Sequence, residues 1–237
     1  MMLPFMPQPF SLVVAAACFS VLAGPAADAA AAEPADAEYA IRWNARDGGP
    51  ASLNETLRIL QTRATRVRRF KIDYYDLPST TTTPQGFSVI LRRRVEDGGR
   101  AELTWKLRGD RALADWACPL KNSPEGKAEL DVTFRGEDKV TRSFSYSCTS
   151  DGPDLAASEL SATLRECASE MSRQDAGKLK IEEWRLPGNV VIIDVSLSGK
   201  NTPGAMELFR KRIAEPLLAA GIVPSAESKT ELGGRCK

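Results

Sequence analysis

Charged side chains fall on alternate positions in several stretches of this chain. Between Lys127 and Phe134, the residues Lys127, Glu129, Asp131 and Thr133 share one parity, and Ala128, Leu130, Val132 and Phe134 share the other. From Ala101 to Arg108 the pattern repeats, with Glu102, Thr104, Lys106 and Arg108 set against Ala101, Leu103, Trp105 and Leu107. Between Gly86 and Val95, Ser88, Arg92 and Arg94 oppose Phe87, Val89 and Leu91. Successive side chains of a strand point to opposite faces, so each stretch carries one apolar face and one face of mixed charge. Guanidinium and ammonium groups on such a face hold anions, arginine through a planar fork and lysine as a point charge. Carboxylate oxygens beside them suit a hard divalent cation.

Composition narrows the remaining chemistry. The 237 residues include 32 Lys plus Arg, 31 Asp plus Glu and no histidine. Without histidine there is no Ser-His-Asp or Cys-His catalysis and no histidine-bound zinc. A net charge of +1 argues against a nucleic-acid binder. A hydrophobic content of 43% is that of a chain with a packed core. Chemistry by carboxylates, Lys, Arg, Tyr, Ser or Cys stays open, as does simple binding.

The elements that must position these faces are mostly strands. Period-two patterning and turn signals place eight of them near 38–46, 68–76, 86–96, 100–109, 126–136, 139–148, 177–186 and 189–198. Three helices flank them. Ser52-Leu-Asn-Glu55 is a capping box that opens the first, with Leu53, Leu57, Leu60 and Ala64 at helical spacing. The second is expected from Asp154 to about Arg173, with Leu155, Leu160, Leu164, Cys167 and Met171 on its apolar side. Thr202-Pro203 opens the third, Pro216 should kink it and Gly221 should end it. The basic run Arg63, Arg66, Arg68 and Arg69 is read as a solvated terminus of the first helix. Period-two patterning alone also fits an open antiparallel sheet with its charged face in water. Eight antiparallel strands with short turns suffice to close a barrel, and the fold expected is α+β with a closed or nearly closed eight-stranded antiparallel β-barrel. In a closed barrel the charged faces line the interior, and buried Arg and Lys there need carboxylates or an anionic ligand as partners.

The amino-terminal region is a targeting element. Residues 11–24 (SLVVAAACFSVLAG) form an apolar run of signal-peptide length, followed by small residues, so 1–30 is read as a signal peptide and 31–37 as a linker. The product is expected to be secreted or periplasmic, with no membrane association apart from the export signal. In an oxidising compartment Cys118, Cys148, Cys167 and Cys236 should form two structural disulfides, since no CxxC suggests a redox or zinc site. Three connectivities are possible. Cys118–Cys148 with Cys167–Cys236 is favoured because each pair ties neighbouring elements.

Residues 38–237 resemble the CYTH domain of the triphosphate tunnel metalloenzyme superfamily. Tyr74-Tyr75-Asp76-Leu77-Pro78 is similar to its YYDTP segment, Leu91-Arg92-Arg93-Arg94 to its LRxR strand and Leu103-Thr104-Trp105-Lys106 to its LTxK strand. Lys127-x-Glu129-x-Asp131 is similar to the RxExE strand, and Ser228-Lys229 lies where the family carries a late lysine. The resemblance implies an eight-stranded tunnel whose cations hold a triphosphate while acidic residues bind Mg²⁺ or Mn²⁺. Carried over by position, Arg92, Arg94 and Lys106 would bind phosphate and Glu129 and Asp131 would face the metal. Arg42, Lys71, Arg108, Lys180, Arg185 and Lys229 are further candidate phosphate contacts, and Glu38, Glu182 and Asp194 further candidate metal ligands. No catalytic group beyond the metal site is implied.

The chain departs from the family pattern at the first strand. The ExExK motif is matched only by Glu38-x-Ala40-x-Arg42, so the central carboxylate is missing and Arg stands in place of Lys. A late pair of glutamates is matched only by Asp194-x-Ser196. Two function classes follow: an exported, metal-dependent phosphohydrolase acting on triphosphate, polyphosphate or an organic phosphate, or a barrel without catalysis that binds an anionic ligand or partner protein. Both imply a small phosphorylated or otherwise anionic ligand and no nucleic acid. Neither defines an oligomeric state.

Overall fold

A computed structural model describes residues 32–99, 101–120, 126–151, 160–225, 227–229 and 231. The 1–30 segment and Cys236 lie outside the described residues. Among the described residues there are nine strands: β1 (Asp36–Asn44), β2 (Arg66–Asp76), β3 (Phe87–Glu96), β4 (Ala101–Gly109), β5 (Lys127–Phe134), β6 (Val140–Asp151), β7 (Thr163–Ala176), β8 (Leu179–Leu186) and β9 (Val190–Lys200). They close into one barrel in the order β1-β5-β6-β4-β3-β2-β7-β8-β9.

Two differences from the sequence reading concern this barrel. It is mixed rather than wholly antiparallel, because β1 runs parallel to β5 while pairing antiparallel with β9. Neither contact of β1 is a hairpin, so no tight turn dictates its direction against β5. The second difference is β7, which replaces most of the helix expected from Asp154 to Arg173; residues 152–159 lie outside the described set. Leu160, Leu164, Cys167 and Met171 recur at helical spacing, and Arg, Glu, Met and Ala favour helix. Hydrogen-bonding partners on both sides, β2 and β8, override that local preference. Ser169 and Met171 are buried and Glu170 between them is exposed, the period of a strand.

The helices cover the outside of the barrel. In α1 (Leu53–Ile59) the Ser52 hydroxyl accepts from the Glu55 N–H at 3.3 Å, and the Glu55 carboxylate accepts from the Ala51 N–H at 3.0 Å. The helix stops at Ile59, so the basic run is not its terminus. Arg66, Arg68 and Arg69 belong to β2. Thr202 caps α2 (Pro203–Phe209) by accepting from the Ala205 N–H at 3.2 Å. This helix passes through one π-helical turn, Arg210–Ala214, into α3 (Glu215–Ala219). Pro216 supplies no N–H at the start of α3, and the irregular turn lies directly ahead of it. Gly221, at φ +86°, ends the helix as the sequence implied.

These elements bury the apolar side of the strands outside the barrel. Ile41 and Trp43 of β1, Val132 and Phe134 of β5, Ile181 of β8 and Val195 of β9 pack under Leu53, Leu57, Phe209, Ile213 and Leu217. A second outer core joins Leu91, Leu103 and Trp105 to Leu120 of the segment after β4. The Cys118–Cys148 disulfide pins that segment to β6 across 30 residues, a closure worth about 3–4 kcal/mol through loop entropy. The companion pairing, Cys167–Cys236, falls outside the described residues. With the apolar faces spent outward, the charged faces of β4 and β5 point into the barrel.

Candidate functional site

The register of the strands carries one parity around the interior. Glu38 of β1 stands opposite Asp131 of β5, and Arg42 opposite Asp194 of β9. Asp194 in turn faces Glu182 of β8, which faces Arg173 of β7. On the far wall Arg92 pairs with Thr104 and Arg94 with Glu102, while Lys106 and Lys127 both stand opposite Ser147 of β6. These side chains enclose a cavity of about 320 Å³. Among the described residues nine cations line it (Arg42, Arg92, Arg94, Lys106, Arg108, Lys127, Arg173, Lys180 and Lys229) against six carboxylates (Glu38, Glu102, Glu129, Asp131, Glu182 and Asp194), an excess of three positive charges.

Twelve of the fourteen candidate site residues therefore meet in one cavity, and two do not. Lys71 and Arg185 lie on the outer surface with side chains 65% and 67% exposed, the first near Asp73 and the second bonded to Glu183 at 3.0 Å. Their neighbours explain the miss: Phe70, Ile72 and Trp184 take the interior parity of β2 and β8. Arg173 was missed because its segment was assigned to a helix. The alternation of Ser169, Met171, Arg173 and Asp175 against Glu170, Ser172 and Gln174 was the available signal. A second recess of about 420 Å³ shares Lys127, Glu129, Arg173 and Lys180 with the cavity and adds Lys178 and Lys200 beside Asp36 and Asp175, so charged lining of both signs continues beyond it.

The carboxylates are distributed among side-chain cations. Arg42 Nε donates to Asp194 at 2.8 Å, and both residues are buried. Lys229 arrives from the carboxy-terminal segment and donates to Glu182 at 2.7 Å and to Asp194 at 2.9 Å. Its segment is held by Ser225 N–H on the Arg42 carbonyl at 2.8 Å and by reciprocal Ser228 and Glu231 hydrogen bonds. Trp184 Nε1 also donates to Glu182, at 3.0 Å. Arg108 and Lys106 share Oδ2 of Asp131, at 2.6 and 3.1 Å, and Lys127 takes Glu129 at 2.5 Å. Glu38 carries no ion pair among the described residues, and Oδ1 of Asp131 has no hydrogen-bond partner.

Proton affinities follow from this arrangement. Burial disfavours the Glu182 carboxylate, yet Lys229 and Arg94 hold it far below the ordinary carboxylate range. Burial likewise opposes ionisation of Asp131, and Lys106 and Arg108 outweigh it. Glu38 is lowered against burial by Lys106, although the charge of Asp131 pulls the other way. Burial and the neighbouring Arg92 push Arg94 down to about 10. The Nε atoms of Arg92 and Arg94 are buried without partners, Arg92 has no ion pair among the described residues, and Glu102 reaches Arg94 only at 3.9 Å. Among the described residues Lys180 is hydrogen-bonded to Ser198 alone, at 3.4 Å. One side of the cavity is thus internally neutralised and the other presents underused cations.

A divalent ion fits the carboxylates poorly. Among the described residues, no three acidic or cysteine side chains gather at one point. Glu38 with Asp131 and Glu182 with Asp194 form two separate pairs. Between them Ala40 stands opposite Thr133 of β5 and Ser196 of β9, and Ser196 opposite Lys180 of β8, a layer that adds no carboxylate. Glu38 and Arg42 are four residues apart on one strand, roughly 13 Å.

No family model matches the chain, and no curated protein matches it. Solved structures do align with it at low identity. The PH1012 protein of Pyrococcus horikoshii covers 83% of this chain and 98% of its own, at 14% identity and TM-score 0.48. A conserved hypothetical protein of Pyrococcus furiosus covers 83% and 99%, at 15% identity and TM-score 0.47. A proposed adenylate cyclase of Vibrio parahaemolyticus covers 85% and 98%, at 15% identity and TM-score 0.47.

Proposed function

We propose that this chain is a divergent CYTH-type tunnel that binds an oligophosphate in the basic cavity of its barrel. One observation carries the reading: the interior gathers nine cations against six carboxylates, and the buried Nε atoms of Arg92 and Arg94 lack partners. Buried polar groups are mostly satisfied in folded proteins, so two such donors beside an excess of three positive charges suit a polyanionic guest. Arginine forks match phosphate oxygens bidentately, and Lys180 and Lys106 add point charges beside them. A linear ligand carrying about three or more negative charges balances the excess in the cavity. With residues 1–30 read as a signal peptide, the proposed encounter with this ligand is outside the cytoplasm.

Of the two classes implied by the sequence, binding without turnover is better supported than metal-dependent hydrolysis. Hydrolysis through Mg²⁺ or Mn²⁺ needs an ion held open to substrate and water by several oxygens. Here Asp194, Glu182 and Glu129 are engaged by cations, and Asp131 is half engaged. The reading is tested by thermal unfolding of the protein with increasing tripolyphosphate, in parallel with measured phosphate release. Tripolyphosphate should raise the melting temperature, because a ligand bound only by the folded state stabilises it in proportion to log concentration. No shift at millimolar tripolyphosphate refutes the proposal; sustained phosphate release would move the protein to the hydrolytic class.

A further inference from the structure

We infer that anion binding in this tunnel is independent of divalent metal, and that Arg42 is the residue that makes it so. The inference rests on the oligophosphate reading above and concerns what supplies the positive charge opposite the free arginines. Arg42 is not a loosely placed surface cation. The β1–β9 register sets it directly across from Asp194, its Nε lies 2.8 Å from Oδ2, and both side chains are buried. Lys229 completes the arrangement from the tail by bridging Asp194 and Glu182.

An ion entering between Asp194 and Glu182 would have to displace both cations. That would strand a buried guanidinium, the kind of loss that makes a broken buried pair strongly unfavourable. The next layer offers no compensation, since Ala40, Thr133 and Ser196 carry no charge and Lys180, opposite Ser196, adds a further cation. The other carboxylate pair is no freer. Lys106 sits 3.1 Å from Asp131, and its charge also stabilises the Glu38 carboxylate, so one ammonium serves both. The tunnel therefore carries fixed side-chain cations at both carboxylate pairs. Its ligand binds to a charge distribution that is complete without a metal.

The test is calorimetric titration of the full chain with tripolyphosphate in excess EDTA and, separately, in Mg²⁺. Affinity in EDTA should equal or exceed that in Mg²⁺, because the free metal only competes for the ligand. Mg²⁺ tightening the wild-type interaction roughly tenfold or more overturns the inference while leaving the oligophosphate reading intact. Binding in neither condition overturns the reading and the inference together. Arg42→Ala should weaken binding in EDTA roughly tenfold or more, with Mg²⁺ restoring part of the loss by occupying the released Asp194. An unaltered affinity in EDTA for that variant also overturns the inference. Should Arg42→Ala fail to fold, a Mn²⁺ titration of the wild-type protein followed by electron paramagnetic resonance decides the matter. Retention of the free-ion spectrum supports the inference, and a stoichiometric bound signal defeats it.

Discussion

Two portions of the same barrel interior solve the problem of filling a tube in opposite ways. Along β2, β7, β8 and β9, Phe70, Ile72, Tyr74, Met171, Trp184, Leu186 and Ile192 interlock as a dry plug. Along β1, β3, β4 and β5 the same parity holds Arg42, Arg92, Arg94, Lys106, Arg108, Glu129 and Asp131 around open space. The first portion is self-sufficient and serves stability. The second is close-packed only in charge, and its cations outnumber its carboxylates. They meet at Trp184, whose ring lies under Arg92 at 6.0 Å and under Lys229 at 5.2 Å. Space and unpaired donors, rather than conserved-looking motifs, mark where a guest belongs.

The contrast can be broken at either portion. Met171→Ala should cost about 2–5 kcal/mol of stability in urea unfolding through the cavity it leaves, yet preserve the shift caused by tripolyphosphate in whatever protein remains folded. Arg92→Ala should do the reverse. Ligand affinity should fall about 10- to 100-fold by calorimetry, as for a lost charge-assisted contact, with unfolding in the absence of ligand almost unchanged. If Met171→Ala abolished binding and left stability intact, the division would be wrong.

Within the barrel interior, acid should act on the charged portion. Glu182, Asp131 and Glu38 are all lowered from ordinary values of 4.5, 3.8 and 4.5 in the folded protein. Their contribution is fully present above those values and is lost as pH falls through the lower folded values, so stability should decline below about pH 4. Lys229, raised above 10.5, contributes below that pH and loses its contribution as pH rises through its folded value. Melting temperature against pH measures both limbs, and Glu182→Gln should flatten the acid limb. The smallest effect concerns Arg94, whose lowered value means that folding disfavours its charge below about pH 10. Arg94→Met should raise stability by roughly 1 kcal/mol without ligand and reduce the further gain from tripolyphosphate. A loss of stability in that variant would show that Arg94 is already satisfied.

How far the sequence could be read depends on the same division. In β4 and β5 the alternation is clean and the charged parity faces inward, so Lys106, Arg108, Glu129 and Asp131 were recognisable as lining residues. In β2 the apolar parity faces inward instead, and in β8 the inward parity changes along the strand from Lys180 and Glu182 to Trp184 and Leu186. Lys71 and Arg185, chosen as the charged members, therefore came out on the surface. Period two reveals two faces without saying which is inside, because outer helices and an inner plug bury apolar side chains equally well. In β7 the period itself was obscured by Leu164, Cys167 and Met171 at helical spacing, and Arg173 was lost with it. The pairing of Cys118 with Cys148 followed from adjacency of the elements they join. The positions of Arg42 and Lys229 depended on the barrel seam and the returning tail, which local pattern does not encode.

The seam has a consequence for how the molecule comes into being. β1 pairs along its length with β5 and β9, so it must wait for residues beyond 190 before its second edge is covered. Until then the nascent chain is an open ribbon with a bare flank and no enclosed chamber. Removing β1 or β9 would thus unzip the ring instead of trimming it, and half-length fragments should capture no guest at all.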